Sequence, residues 1–230
     1  MLSSGLRRCL FAIALSGSLL APGYVTGQTS LPPNQVGPFT DTSMLKPPPG
    51  VKLAIVEWED MECPACAHAF PFVHAAVSQY HISLVEYDFL IPGHAWSHQA
   101  ALYARYMKEK VSPELAVEYR RQVFAAQYRI ATPEDLVAFT KQFLTQHGKQ
   151  MPFVVDPTGQ FEREIPAEVE LRKKLGASWY TPTIVVVTPN RWIEVRDVSY
   201  LDQAIDQAKT WVSEPAAAVH RTTATAVHPR

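Results

Sequence analysis

The chain has 230 residues, 47% hydrophobic and 19% charged, with a formal net charge of -1 and 3 cysteines. That length buries an adequate core in one domain without a disulfide framework or a structural metal, and so few cysteines exclude a disulfide-rich scaffold. The near-neutral balance argues against a nucleic-acid binder, which carries a basic excess. No apolar run reaches the about 18 residues of a membrane-spanning helix, so no stable span is expected in the mature chain.

In chain order, residues 1–27 read as a signal peptide. Arg7 and Arg8 make a positive start, and Leu10 to Leu20 is apolar apart from Ser16, Gly17 and Ser18. Val25-Thr26-Gly27 then fits a small-x-small cleavage rule, with cutting before Gln28. The alternative is an uncleaved N-terminal anchor. Cleavage would remove Cys9 and leave two cysteines in a periplasmic or otherwise exported compartment, where disulfides persist. Residues 28–50 carry six prolines, ending in Pro47-Pro48-Pro49. They are expected as an extended, semi-rigid lead-in outside the core.

Residues 51–213 carry the folded pattern. Leu53-Ala54-Ile55-Val56 reads as a buried strand. From Cys63 onward, Phe70, Val73, Val77 and Tyr80 fall at helical spacing, and Ile82 to Tyr87 alternates as a second strand. This is a βαβ unit, which favours a parallel pair. An all-helical insertion follows at about 95–150. Pro113 and Pro133 stand at first-turn positions after the capping residues Ser112 and Thr132, which suggests three helices. Phe161 to Leu175 reads as a helix closed by Gly176. Thr183 to Val187 and Trp192 to Val195 form a hairpin around the turn at 188–191, and Leu201, Ile205, Ala208 and Val212 give a closing amphipathic helix. The order is β-α-β, helical insertion, α-β-β-α, an α/β fold. Residues 214–230 have no period and read as a disordered tail.

The chemistry concentrates in Cys63-Pro64-Ala65-Cys66. Two cysteines three apart at a helix start can close a small-ring disulfide. The first sits among unpaired N–H groups at the positive end of the helix dipole, which favours its thiolate. Cys63 is therefore the expected nucleophile, and Cys66, one turn in, the resolving thiol. Pro64 needs no donor in the first turn. The carboxylates Glu59, Asp60 and Glu62 should oppose the helix weakly from a solvated loop, leaving Cys63 with a pKa of about 5 to 7. Other uses of the pair stay open: a metal site with His68 or His74, or a purely structural bridge. His94 and His98 read as loop residues rather than ligands, and Trp96 as packing for the insertion.

With these residues in place, the sequence resembles the thioredoxin superfamily, and within it the DsbA-like thiol–disulfide oxidoreductases, over roughly residues 51–213. Cys-Pro-x-Cys is the DsbA-like active-site form. Pro71 matches the proline inside the active-site helix, and the helical insertion is the DsbA-like elaboration. Thr181-Pro182-Thr183 looks like the family's cis-proline loop, and Glu57 matches its buried acid. The resemblance implies a thioredoxin-like fold, catalysis by Cys63 and Cys66 with Glu57 relaying the proton of Cys66, an active-site loop of Pro64 and Ala65, and substrate binding at Thr181 and Pro182. It implies no cofactor beyond the cysteine pair, substrates that are protein thiols or disulfides, and a separate redox partner protein. Two departures stand out. Gly176 to Pro182 is one residue longer than the family's usual loop and carries Trp179 and Tyr180, and Pro-Ala replaces a His-containing dipeptide. The expected activity is moderate oxidation. The alternatives are a reductase or isomerase, or a non-catalytic metal-binding or chaperone-like module of the same fold.

Overall fold

The structure, a computed structural model, describes residues 35–213. The expected signal peptide and C-terminal tail lie outside the described residues.

The strands are β1 (Gln35–Phe39), β2 (Ala54–Glu59), β3 (Ser83–Asp88), β4 (Thr183–Val187) and β5 (Trp192–Val195). They form one sheet in the order β1-β5-β4-β2-β3. β2 and β3 run parallel, joined by α1 (Pro64–Tyr80), as the βαβ reading required. The other neighbours are antiparallel. The insertion supplies α2 (Ser97–Tyr106), α3 (Pro113–Ala126) and α4 (Pro133–Gln146). The chain then returns through α5 (Gln160–Leu175) and closes with α6 (Leu201–Ser213).

Local chemistry sets these boundaries. The Ser112 hydroxyl accepts from the Leu115 N–H at the start of α3. Thr132 and Asp135 cap α4 reciprocally, each side chain accepting from the other's backbone. Gly176 ends α5 with a left-handed φ of 68°, where a Cβ would be strained. Between α2 and α3, Met107–Val111 is a π-turn, which apolar spacing alone does not signal.

Two sequence expectations are revised. Residues 28–50 do not all lie outside the core. Gln35–Phe39 pairs with β5, Phe39 stacks on Trp192 at 3.9 Å, and Leu45 is buried. The segment is extended as expected, but its backbone groups find partners only on a strand over 150 residues away. The first strand also continues past Val56 to Glu59, because Glu57, Trp58 and Glu59 are all buried.

The sheet separates two environments. Ala54, Val56 and Trp58 meet Val185, Val187 and Trp192 in an apolar cluster that α5 covers with Val169, Leu171 and Leu175. Ile55, Glu57 and Glu59 alternate to the opposite face. There the insertion meets the sheet through buried charge. Arg120 of α3 donates to Glu59 at 2.8 Å and to Asp88 at 3.0 Å. Arg105 of α2 donates to Asp88 at 2.7 Å and also holds Glu164 and Glu168 of α5. The apolar core of the insertion, including Trp96, Tyr119, Leu136 and Phe143, is continuous with Met61, Cys63, Cys66 and Phe70. The cysteine pair therefore sits at the seam between sheet and insertion. Among the described residues no helix is long and apolar enough to cross a membrane.

Removing Arg120 would leave Glu59 and Asp88 buried without that countercharge. Arg120→Met should destabilise the protein by about 3 to 5 kcal/mol, the usual cost of breaking a buried pair from one side. Urea midpoints of parent and variant measure this; a loss below about 1 kcal/mol would mean the pair is replaceable by packing.

Candidate active site

Cys63 is the N-cap residue of α1, and Cys66 lies in its first turn. Cys63 keeps 7% of its surface exposed and Cys66 none, so only the first can meet a large substrate. Pro64 and Ala65 between them are exposed. Both sulfurs are free thiols. Pro71 lies inside α1, as the resemblance implied.

The two sulfurs are driven in opposite directions. The Cys63 thiol is lowered to about 5, first by the hydrogen bond that Cys66 supplies, against the opposing effect of burial. The Thr181 side chain and the backbone N–H groups of Cys66 and Ala65 add to the lowering. The helix N-terminus therefore helps, as expected, but the neighbouring thiol contributes more. Cys66 is pushed far up, first by burial, then by Cys63 and the charge of Glu59. Its one backbone donor is the Asp60 N–H, at 3.4 Å.

The acidic cluster before Cys63 is not a solvated loop. Glu59 and Asp60 are buried. Asp60 accepts from the backbone N–H of Glu62 and of Ile91 and faces His94 Nδ1 at 3.0 Å. Glu62 accepts from the N–H groups of Ala95, Trp96 and Ser97 at the start of α2. Spent on these donors, the carboxylates anchor the cysteine loop instead of opposing the thiolate. His98 faces Glu162 instead of His94's partner, so the two histidines do not share a site. Trp96 is buried and donates to the Ile130 carbonyl, in the packing role expected of it.

Glu57 is buried, as expected, and burial holds its carboxyl well above the usual range, with Glu59 and Glu86 adding to the rise. The carboxylate whose charge raises Cys66 is Glu59, two residues further along the same face. Burial lifts Glu59 to about 8 against the attraction of Arg120.

The Thr181–Pro182 peptide is cis, as expected. The Thr181 carbonyl lies 3.8 Å from Cys63 Sγ, and its hydroxyl is buried with no oxygen or nitrogen partner. Ala65, His68, Thr181, Pro182 and Tyr180 line a groove of about 440 Å³ beside the cysteines. Trp179, Tyr180 and Phe72 are exposed.

Two supports were not anticipated. Gln127, just after α3, donates its amide to the carbonyls of Met61 at 2.8 Å and Cys63 at 3.0 Å. Arg172 of α5 donates to the carbonyls of Ser178 and Tyr180, and its guanidinium lies 3.9 Å from the centre of the Phe89 ring. Burial lowers it to about 10. A signal for Arg172 existed: Phe161, Ile165, Val169 and Arg172 share one helix face, and an arginine on an apolar stripe asks for buried partners. For Gln127 no local pattern exists.

This architecture is a thioredoxin-like sheet and helix arrangement that carries a helical insertion. A family model described as Thioredoxin matches residues 48–207, and the chain belongs to that family. Among solved structures, a variant of Wolbachia pipientis alpha-DsbA1 with two cysteines replaced by alanine superposes with a TM-score of 0.57 at 12% identity, over 76% of this chain and 98% of that one. Pseudomonas aeruginosa DsbA2 gives 0.55 at 17% identity, over 71% and 92%. A periplasmic thioredoxin-like protein from Salmonella enterica serovar Typhimurium gives 0.54 at 18%, over 76% and 89%. No curated protein matches the sequence.

Thiolate absorbance of the reduced protein, with Cys63→Ser as blank, should titrate with a midpoint near 5. Thr181→Val removes a donor and should raise that midpoint. A thiol lowered from 9.0 to about 5 binds fewer protons folded than unfolded across that window. Cys63 should therefore stabilise the reduced protein increasingly as pH rises from about 5 to 9, relative to Cys63→Ser. Glu57, raised instead, acts in the opposite sense. Its contribution falls as pH rises above 4.5, so Glu57→Gln should flatten the loss of stability towards alkaline pH. Denaturant melts across pH measure both.

Proposed function

We propose that the protein is an exported thiol–disulfide oxidoreductase that donates its Cys63–Cys66 disulfide to protein thiols as a moderate oxidant. The observation that carries this reading is the split between the cysteines: one sulfur still reachable from outside and held as thiolate, the other fully buried and held protonated. A stabilised thiolate is a good leaving group, and its stability favours the reduced form of the enzyme, which makes the disulfide oxidising.

In that reaction a substrate thiolate attacks Cys63 Sγ and the Cys63–Cys66 bond breaks. Cys66 takes the electron pair and a proton. A second substrate thiol, as thiolate, attacks the substrate sulfur of the mixed disulfide and expels the Cys63 thiolate. The substrate is oxidised by two electrons, the enzyme is reduced, and a partner protein carrying a more oxidising couple restores the disulfide. Cys66 is sealed from bulk water, so its proton needs an internal acid. Glu57 and Glu59 supply it, both buried on the face below α1. The Thr181 and Pro182 backbone at the groove wall receives the extended substrate, with Trp179 and Tyr180 adding aromatic surface beyond the family's usual loop. Arg7, Arg8 and the apolar segment after them support export.

Cys66→Ser should accumulate mixed disulfides through Cys63, whereas Cys63→Ser should abolish exchange. Equal trapping by both variants would overturn the assignment of roles. The reduction potential of the couple should fall between about -120 and -230 mV. A value near about -270 mV, or a thiolate midpoint above about 8, would make the protein a reductase instead.

A further inference from the structure

Glu57 Oε1, Glu59 Oε2, Glu86 Oε1 and His74 Nε2 are all buried without a hydrogen-bond partner. Buried polar groups are rarely left unsatisfied, so a run of them leading to a cavity needs an explanation. These four belong together. The parallel register places Glu57 beside Glu86 and Glu59 beside Asp88 on one face of the sheet. His74 follows Cys66 on α1 by eight residues, about 12 Å along the axis and about 80° around it. Its ring centre lies 4.0 Å from that of Phe70, tilted against it, and Nε2 lies 3.8 Å from Glu86 Oε1.

Next to this pair a cavity of about 380 Å³ opens between β3 and the insertion. His74 and Glu86 line it, together with Asp88, Arg120, Arg105 and Lys108. It lies apart from the groove at the cysteines, whose wall is formed by Ala65, Thr181 and Pro182. Cys66 has no surface of its own, and a substrate joined to Cys63 covers the front of the site. A proton bound for Cys66 must then arrive from behind.

We propose that Glu86 and His74 form the solvent end of a proton route that serves Cys66, running through Glu59 and Glu57 and opening into this cavity. The inference rests on the proposed disulfide exchange and adds residues to it. When the disulfide is reduced, the Cys66 sulfur gains the electron pair of the broken bond and a proton from Glu59 or Glu57. Glu86 replaces that proton, and His74 replaces it in turn from water. On reoxidation each transfer reverses, so the route neither gains nor loses protons over a cycle. The groups facing His74 are Glu86 from β3 and Arg120 from α3; burial and Arg120 hold the imidazole below its usual pKa against Glu86. At neutral pH it is therefore free to accept. His74 and Glu86 are positioning residues here, acting on Cys66 through the carboxylates.

The test follows reduced full-length protein reacting with oxidised glutathione by stopped flow. The first step is attack by Cys63; the second is attack by Cys66 on the mixed disulfide, with loss of its proton. For His74→Ala and for Glu86→Gln, the ratio of second-step to first-step rate should fall about tenfold, within the range for a lost proton-transfer group. Imidazole in the buffer should restore it in His74→Ala, which a merely structural defect would not show. If His74→Ala does not fold, His74→Gln decides by its pH profile, losing the parent's fall in second-step rate as His74 takes up a proton. Parent-like ratios and profiles in the folded variants, or a slowing of His74→Ala that imidazole leaves untouched, would overturn the route. Absence of exchange in the parent would instead overturn the proposed function.

Discussion

Arg120 holds two carboxylates where water cannot. Its guanidinium reaches Glu59 on β2 and Asp88 on β3, so one α3 side chain ties the insertion to both parallel strands. Arg105 repeats the arrangement from α2, joining Asp88 to α5. Such pairs add little net stability compared with a well-packed apolar core, but they tolerate few alternative alignments. The insertion is therefore aligned on the sheet by charge as well as by packing, and the cysteine pair lies where the two meet.

From that alignment comes the asymmetry of the thiols. The same burial that keeps Cys66 from water places Glu59 behind it, and both effects oppose ionisation. A proton retained on Cys66 can be donated to the sulfur of Cys63, which is the largest effect favouring the outer thiolate. Gln127 and Glu62 keep this geometry from drifting. One binds the carbonyls of the cysteine loop, and the other caps α2 from within that loop. On the opposite side Arg172 holds the carbonyls of Ser178 and Tyr180, just before Thr181 and Pro182. The two walls of the site are thus positioned by different parts of the chain.

Much of the fold was legible because its signals are local. Helical spacing after Cys63, the capping residues at 112 and 132, and the β-branched run at 183–187 each report on their own backbone within a few residues. The edge strand Gln35–Phe39 escaped for the opposite reason. Its proline and glycine resemble a linker, and what makes it a strand is β5. The carboxylates at 59, 60 and 62 misled in the same way. A run of acids reads as solvated until Arg120 and the N–H groups of residues 91–97 are brought to it.

The sequence alone determined the chemistry of the site: two cysteines three apart at a helix start, a proline between them, and a Thr-Pro before a later strand. Those features follow from short-range geometry, since a helix start presents the same N–H groups wherever it lies. Tertiary structure decided how that chemistry is tuned. Arg120 meets Glu59 across 61 residues, Gln127 meets Cys63 across 64, and Thr181 meets Cys63 across 118. Hydrogen bonding and burial act over a few ångströms in space with no regard for separation along the chain, so no local pattern could have revealed which side chains set the two thiols apart.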